Sequence, residues 1–133
     1  RKKLRQIFSK QIINITPEEI LADSPEQIFL QKIRSTIEEN IDNELFGVMD
    51  LANASNMSRS QLHRKLKALT GLSPNEIIRN FRLERAHQLL TQHAGNVTEV
   101  AFMTGFSSPA YFAKCFNSYY GYTPGEVKLQ DTK

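Results

Sequence analysis

One stretch near the middle of the chain repeats its hydrophobic positions at helical spacing. Leu62, Leu66 and Leu69 stand at i, i+4 and i+7, which places them on one face of a helix. Ser58 before them is a favourable N-cap, and Gly71 after them is a common helix stop. The pattern predicts an amphipathic helix of about 12 residues whose opposite face is polar.

Helical patterns also precede and follow this stretch. A helix is predicted over residues 25–40, a short one over 47–57 and a long one over 74–92. The apolar positions expected to face inward on the first are Ile28, Phe29, Leu30, Ile33 and Ile37. The long helix has apolar positions on more than one stripe, as expected for a helix that touches two separate cores. The cationic side chains expected to form a row on its outer side are Arg79, Arg82 and Arg85.

The chain contains an internal repeat. Residues 48–57 align with 97–106 at an offset of 49, and after one inserted residue the offset becomes 50. The matched pairs at the second offset are Leu62 with Phe112, Leu66 with Phe116, Gly71 with Gly121, Pro74 with Pro124, and Glu76 with Glu126. A short helix, a tight turn and a second helix form a helix-turn-helix unit. The sequence therefore predicts two such units joined by the long helix, with Gly105 supplying the second turn and Phe112, Phe116 and Tyr119 pointing inward.

Charge is distributed unevenly along the chain. The net charge is only +3, but it is +5 over residues 1–17, −7 over 18–50 and +5 over 51–133. No acid occurs from Leu51 to Asn75, although four Lys or Arg lie within the central helix. A face that carries only cations and hydrogen-bonding groups suits a polyanion. The single cysteine favours a reducing, cytoplasmic location, and no apolar run approaches the roughly 18 residues that a membrane span needs.

Duplex DNA is the polyanion that this arrangement fits best. A helix fits the major groove, where Arg binds guanine in a bidentate manner and small apolar groups meet thymine methyls. A linking helix of roughly 27 Å can hold two such helices in grooves that lie roughly 34 Å apart. The candidate contacts of the first helix are Ser58, Arg59, Ser60, Gln61, His63, Arg64 and Lys67. Those of the second are Ser108, Pro109, Ala110, Tyr111, Ala113, Lys114 and Asn117.

Within the first helix, we expect two kinds of contact. The side chains expected to read bases are Ser60, His63 and Arg64, and those expected to hold or flank phosphates are Arg59, Lys65 and Lys67. The second helix has one cation and several small side chains, so it is expected to contact thymine methyls and to anchor phosphates.

Several short motifs together resemble the DNA-binding domain of the AraC/XylS family over residues 27–129. They are Asp50-Leu-Ala, Met57-Ser-Arg-Ser-Gln-Leu, Phe81-Arg-Leu-Glu-Arg-Ala, Ala101-Phe-Met-Thr-Gly-Phe, Tyr111-Phe and Gly121-Tyr-Thr-Pro. The resemblance implies an all-α, homeodomain-like fold of about seven helices, with two helix-turn-helix subdomains on a linking helix. It implies base contacts at Ser60, His63, Arg64 and Lys67, and at Pro109, Ala110, Ala113 and Lys114.

The sequence of residues 58–85 is also similar to the output domain of Bacteroidetes hybrid two-component regulators, in which a receiver domain precedes the output domain. The predicted organisation is a linker over 1–24 from such an upstream domain, then a DNA-binding domain over 25–133. Its parts are a first helix-turn-helix at 47–71, the linking helix at 74–92 and a second helix-turn-helix at 96–121. A sequence-specific transcription regulator is the resulting hypothesis. A second copy on DNA and RNA polymerase are further candidate partners.

Other functions have less support in the sequence. A helical protein-docking module that meets an acidic partner is the main alternative, and RNA binding would need exposed stacking aromatics. We expect no enzymatic activity, cofactor, metal or membrane contact in this part of the protein. His63 is interpreted as a donor to DNA, His87 and His93 as ordinary helix residues, and Cys115 as a packed thiol. The acidic positions interpreted as a solvated helix end are Glu38, Glu39, Asp42 and Glu44.

Overall fold

The computed structural model describes residues 24–131, and its side chains up to Val127. Within that part of the chain the secondary structure is entirely helical. The seven helices are α1 (Pro25–Glu39), α2 (Val48–Ala54), α3 (Arg59–Thr70), α4 (Pro74–Thr91), α5 (Val97–Met103), α6 (Pro109–Tyr120) and α7 (Pro124–Asp131). The predicted linker lies outside the described residues, apart from Ser24. No helix among residues 24–131 is both long and apolar enough to cross a membrane.

The two helix-turn-helix units are α2 with α3 and α5 with α6, and matched residues have the same structural roles in both. Leu51 and Ala52 of α2 are buried as their matches Val100 and Ala101 of α5 are. Helices α3 and α6 each end at a glycine in the left-handed conformation, Gly71 and Gly121 respectively. The repeat seen in the sequence is therefore also a repeat of structure.

Each turn contains one residue with positive φ at the matched position. Asn56 has a φ of 57° in the first turn, and Gly105 has a φ of 85° in the second. Asn and Gly are the residues that adopt this left-handed conformation most readily. Helix α2 therefore ends at Ala54, three residues earlier than the predicted end at Met57.

Side-chain caps fix where the helices begin. Ser58 accepts a hydrogen bond from the Gln61 N–H (3.1 Å), and the Gln61 side chain accepts one from the Ser58 N–H (3.0 Å). Ser73 and Glu76 form the same reciprocal pair at the start of α4. Such caps satisfy backbone N–H groups that have no partner within the helix.

Two hydrophobic cores lie at the two ends of α4, as the sequence predicted. The first includes Ile77, Ile78 and Phe81 of α4 together with α1, α2 and α3. The second includes Leu83, Ala86, Leu89 and Leu90 together with α5, α6 and α7. Phe112 and Phe116 are fully buried in the second core, and Tyr119 is buried at its edge.

Two inward-facing assignments and one helix assignment from the sequence need correction. Thr70 rather than Leu69 completes the buried face of α3, because its hydroxyl donates to the Leu66 carbonyl at 2.7 Å and so needs no water. Ile28 is 53 % exposed, since α1 covers the first core only from Phe29 onward. His93 is not a helix residue: α4 ends at Thr91, and His93 follows with a φ of 55°.

The largest correction concerns Arg82, which the sequence placed in an exposed cationic row. It is only 6 % exposed, and its guanidinium donates to four backbone carbonyls. Arg82 lies four residues after Ile78 and four before Ala86, both of which are buried. The helical period that identified the core therefore also places Arg82 on the inward face of α4.

Candidate nucleic-acid interface

The exposed face of α3 carries the residues that the sequence singled out. Leu62 and Leu66 anchor the helix in the first core, and this leaves the opposite side in solvent. The side chains exposed there are Arg59, Ser60, His63, Arg64 and Lys67. Ser58 and Gln61 are exposed too, but their side-chain oxygens hold the N-terminal cap. Arg59, Arg64 and Lys67 form no ion pair with any acid of the described part of the chain, so their charge faces solvent.

Lys65 is on a different side of α3. Its ammonium lies 4.3 Å from the centre of the Phe29 ring in α1. A cation over an aromatic face is held by the quadrupole of the ring. Lys65 therefore contacts the neighbouring helix rather than the exposed row.

The second helix presents a smaller and less charged face. Ala110, Tyr111, Lys114 and Asn117 of α6 are exposed, whereas Pro109 and Ala113 are half-buried. The Ser108 hydroxyl accepts from the Tyr111 N–H at 3.2 Å and so caps the helix. Tyr111 is 51 % exposed, with its ring centre 6.2 Å from that of Phe106. Lys114 is the only cation of α6.

Three neighbouring grooves connect the two faces along one side of α4. The first, of about 800 Å³, lies between the exposed face of α3 and the start of α4. The second, of about 390 Å³, lies between the two units, and the third, of about 280 Å³, runs along α6. Asn75 lines the first and second grooves, and Arg79 and Tyr111 line the second and third. The exposed faces of α3 and α6 therefore border one continuous surface, from Arg64 at one end to Lys114 at the other.

Sequence reasoning did not include Asn75 among the candidate contacts, and it did not place Arg79 beside α6. Both residues belong to α4, whose outer side was predicted to carry a row of cations that includes Arg79. The sequence did contain one indication that Asn75 could contact a polyanion, since it falls in the acid-free segment that begins at Leu51. Their position between the two units depends on the packing of α5 and α6 against α4.

A cluster of aromatic and ionisable side chains lies on the second core, and Tyr119 of this cluster also lines the third groove. His87 Nε2 is 3.0 Å from the Tyr122 hydroxyl, and its ring centre is 4.8 Å from that of Tyr120. The Tyr119 hydroxyl donates to Glu84 at 3.1 Å. Burial, and then the charge of Glu84, raise the pKa of Tyr120 above its usual value. His87 is a residue of helix α4, as predicted, and its ring is part of this aromatic cluster.

The described histidines, cysteine and acids do not assemble into a metal-binding group. Among residues 24–131, no three such side chains are close enough together to hold an ion. Glu38 of the acidic segment pairs with Arg34, with 3.3 Å between its carboxylate and the Arg34 Nε. Cys115 is half-buried and packs against the second core.

Comparison with known proteins identifies the family. The family model described as a helix-turn-helix domain matches residues 51–130. A solved structure with 31 % sequence identity is a transcriptional regulator from Chromobacterium violaceum. That regulator is one of the AraC-type DNA-binding domain-containing proteins. This chain covers 98 % of that structure, and 84 % of this chain is covered, with a TM-score of 0.75. The chain belongs to the AraC-type helix-turn-helix family.

Two further relatives of this AraC-type domain extend the comparison. A region of histidine kinase P4 from Formosa agariphila is 38 % identical over 96 % of this chain, which spans only 9 % of that kinase. The DNA-binding domain of AdpA, a global transcriptional factor solved in complex with a target DNA, is 28 % identical with a TM-score of 0.69. That match covers 75 % of this chain and 89 % of the AdpA domain. The chain spans about a quarter of the length of two further transcriptional regulators, MtrA from Neisseria gonorrhoeae (26 %) and GbdR from Pseudomonas aeruginosa (27 %).

Proposed function

We propose that this chain is the DNA-binding output domain of a transcription regulator, and that it inserts α3 and α6 into adjacent major grooves of one duplex. The observation that carries the proposal is the continuous surface that joins the exposed faces of both helices. Its α3 end holds Arg59, Arg64 and Lys67, none of which pairs with an acid of the described residues. Unneutralised cations on a helix of groove width are what a duplex requires.

The side chains of α3 divide into two roles by chemistry. Arg64 has a planar fork of donors that matches the O6 and N7 acceptors of guanine, and His63 and Ser60 offer further donors or acceptors to base edges. Arg59 and Lys67 supply charge to phosphates, which fixes the position of the helix without reading sequence. Ser58 and Gln61 keep their capping role, so that the N-terminal end of α3 can approach the phosphate backbone of the DNA.

Helix α6 contributes less directional contacts. Ala110 and the half-buried Ala113 offer methyl groups suited to thymine, and Lys114 and Asn117 offer donors to phosphates or bases. Pro109, Ala110 and Ala113 have no side-chain hydrogen-bond donor or acceptor. We therefore expect α3 to supply most of the sequence preference and α6 to extend the site.

The proposal extends to the longer protein of which such domains form part. By analogy with histidine kinase P4, the domain follows upstream signalling domains through the segment 1–24 and acts in the cytoplasm. A second copy on the same DNA, brought together by upstream domains, and contact with RNA polymerase belong to the same proposal. The stoichiometry of gel-shifted complexes with the full-length protein tests the first of these.

Selection of duplexes from a random pool, followed by sequencing, tests the central claim. We expect an enriched site whose affinity exceeds that of a scrambled duplex by on the order of 10³. Binding should weaken steeply with salt, and Lys67→Ala should reduce the slope of log K against log salt by about 1. Lys32→Ala, which removes an exposed cation of α1, is the matched control and should leave that slope unchanged.

Two outcomes would contradict this function. Equal affinity for selected and scrambled duplexes at moderate salt would remove base readout. Tight binding to an acidic polypeptide that duplex DNA does not displace would favour the protein-docking module instead.

A further inference from the structure

Arg82 makes the contacts from which the inference starts. Its guanidinium lies at the junction of the two helix-turn-helix units, near the middle of α4. One terminal nitrogen, Nη1, donates to the Ile41 carbonyl at 2.8 Å and to the Thr104 carbonyl at 3.0 Å. The other, Nη2, donates to the carbonyls of Asn43 at 3.0 Å and Phe46 at 3.2 Å.

These four carbonyls belong to different halves of the molecule. Ile41, Asn43 and Phe46 lie in the segment between α1 and α2, beside the first core, whereas Thr104 caps the end of α5 in the second unit. Nη1 connects the two halves directly, because it donates to one carbonyl from each. Burial lowers the pKa of Arg82, although the charge of Asp42 opposes that shift.

The second turn is shaped around this side chain. A methyl group at Gly105 would overlap the Arg82 guanidinium, and it would also lie 2.5 Å from the Ile41 carbonyl oxygen. The matched position of the first turn is Asn56, which has a side chain and lies in the exposed turn. The two turns thus share a backbone conformation, but only the second leaves room for a guanidinium.

We propose that Arg82 is a positioning residue that fixes the angle between α3 and α6, and thereby sets the spacing of the two half-sites that the domain recognises. The two cores are separate, so apart from α4 itself the orientation of one unit on the other depends on contacts at their junction. A planar fork of donors bound to carbonyls on both sides resists rotation and bending there. Two linked readers gain affinity only when both reach their sites at once. This inference rests on the proposed function.

The DNA test compares Arg82→Gln with Arg85→Gln. Both remove one positive charge from α4, but Arg85 is exposed and its hydrogen bond within the described residues is to Gln88 of the same helix. The probes are the duplex selected by the wild-type chain, a duplex with the α6 half-site scrambled, and duplexes with base pairs inserted between the half-sites. Arg82→Gln should lose on the order of tenfold in affinity for the full site. Its affinity for the duplex with the scrambled α6 half-site should stay within about twofold of the wild-type value. The loss of affinity caused by inserted base pairs should be smaller than in the wild type.

A second measurement is independent of DNA. Spin labels attached through Ser60→Cys and Asn117→Cys, in a chain that also carries Cys115→Ser, report the distance between the two exposed helix faces by pulsed electron paramagnetic resonance. The distance distribution should be narrow in the parent and with Arg85→Gln, and broader with Arg82→Gln. All comparisons are made at a temperature where circular dichroism shows each variant folded. Arg82→Lys, which keeps the charge but loses the fork, replaces Arg82→Gln if the latter does not fold.

The two measurements separate failure of this inference from failure of the proposed function. If the wild-type chain selects no duplex, the function is wrong, and the distance distribution still decides whether Arg82 orients the two units. An unchanged distribution together with an unchanged spacing preference would overturn the inference. Parallel losses on full and half sites, with no change in spacing preference, would show that Arg82 only stabilises the fold.

Discussion

Replacement of Gly105 by asparagine separates two reasons for a glycine in the second turn. Asparagine tolerates a positive φ, as Asn56 does at the matched position of the first turn. The variant Gly105→Asn therefore adds little backbone strain. It does place a Cβ atom where the Arg82 guanidinium lies, and 2.5 Å from the Ile41 carbonyl oxygen. The cost of this substitution should come mainly from the displaced guanidinium.

The magnitude follows from the hydrogen bonds that are displaced. Nη1, the atom nearest the new Cβ, donates to the carbonyls of Ile41 and Thr104. A hydrogen bond to a charged group contributes about 1.5–3 kcal/mol, so two such bonds amount to about 3–6 kcal/mol. The free energy of unfolding of a typical domain is about 5–15 kcal/mol. Gly105→Asn should therefore remove a large part of the stability, and Gly105→Ala should cost about 1–2 kcal/mol more from strain at positive φ.

Urea unfolding followed by far-ultraviolet circular dichroism measures these values. Asn56→Gly is the matched control, because it changes the same position of the other turn without adding an atom. It should alter the free energy of unfolding by less than about 1 kcal/mol. A loss below about 1 kcal/mol for Gly105→Asn would refute the reasoning. It would mean that Arg82 finds other partners at little cost, and that its four carbonyl contacts do not stabilise the junction.

Three further predictions concern α3 and the start of α7. Arg64→Ala should relax the base preference at one position of the selected site and cost about 1–3 kcal/mol of binding. Lys32→Ala should leave the selected sequence unchanged in the same selection experiment. Ser58→Ala should lower the free energy of unfolding by about 1 kcal/mol, measured in urea, because it removes the cap of α3. The Thr123 N–H, and then its hydroxyl, donate to Glu126 and lower the pKa of that carboxyl. The contribution of this cap is therefore present above the unfolded-state pKa and is lost as the pH falls through the lower folded value. A carboxyl titration by NMR should show the Glu126 pKa rise in Thr123→Ala, and an unchanged value would contradict the assigned role of the hydroxyl.

The local pattern was enough for most of the fold, for reasons seen at particular residues. Leu62 and Leu66 are buried because a helix with that spacing has only one way to hide both from water. Ser58 and Gly71 delimit α3 because their preferences are local and act within a few residues. The same reasoning missed the direction of Lys65, whose place over Phe29 depends on how α1 packs on α3.

Sequence alone determined the helices, the caps of α3, the two cores and the cationic face of α3, since each follows from spacing and chemistry within a few turns of chain. It also determined the duplication, because matching residues recur at an offset of 49 to 50. Only the tertiary structure decided which polar groups of α4 are buried and where the two units stand relative to each other. Arg79, Arg82 and Arg85 look alike in the sequence, yet they have different surroundings in the structure. Arg79 lines the grooves between the units, Arg82 is buried among four carbonyls and Arg85 is exposed to solvent. The carbonyl partners of Arg82 lie 22 to 41 residues away in the chain, and no local period carries that information.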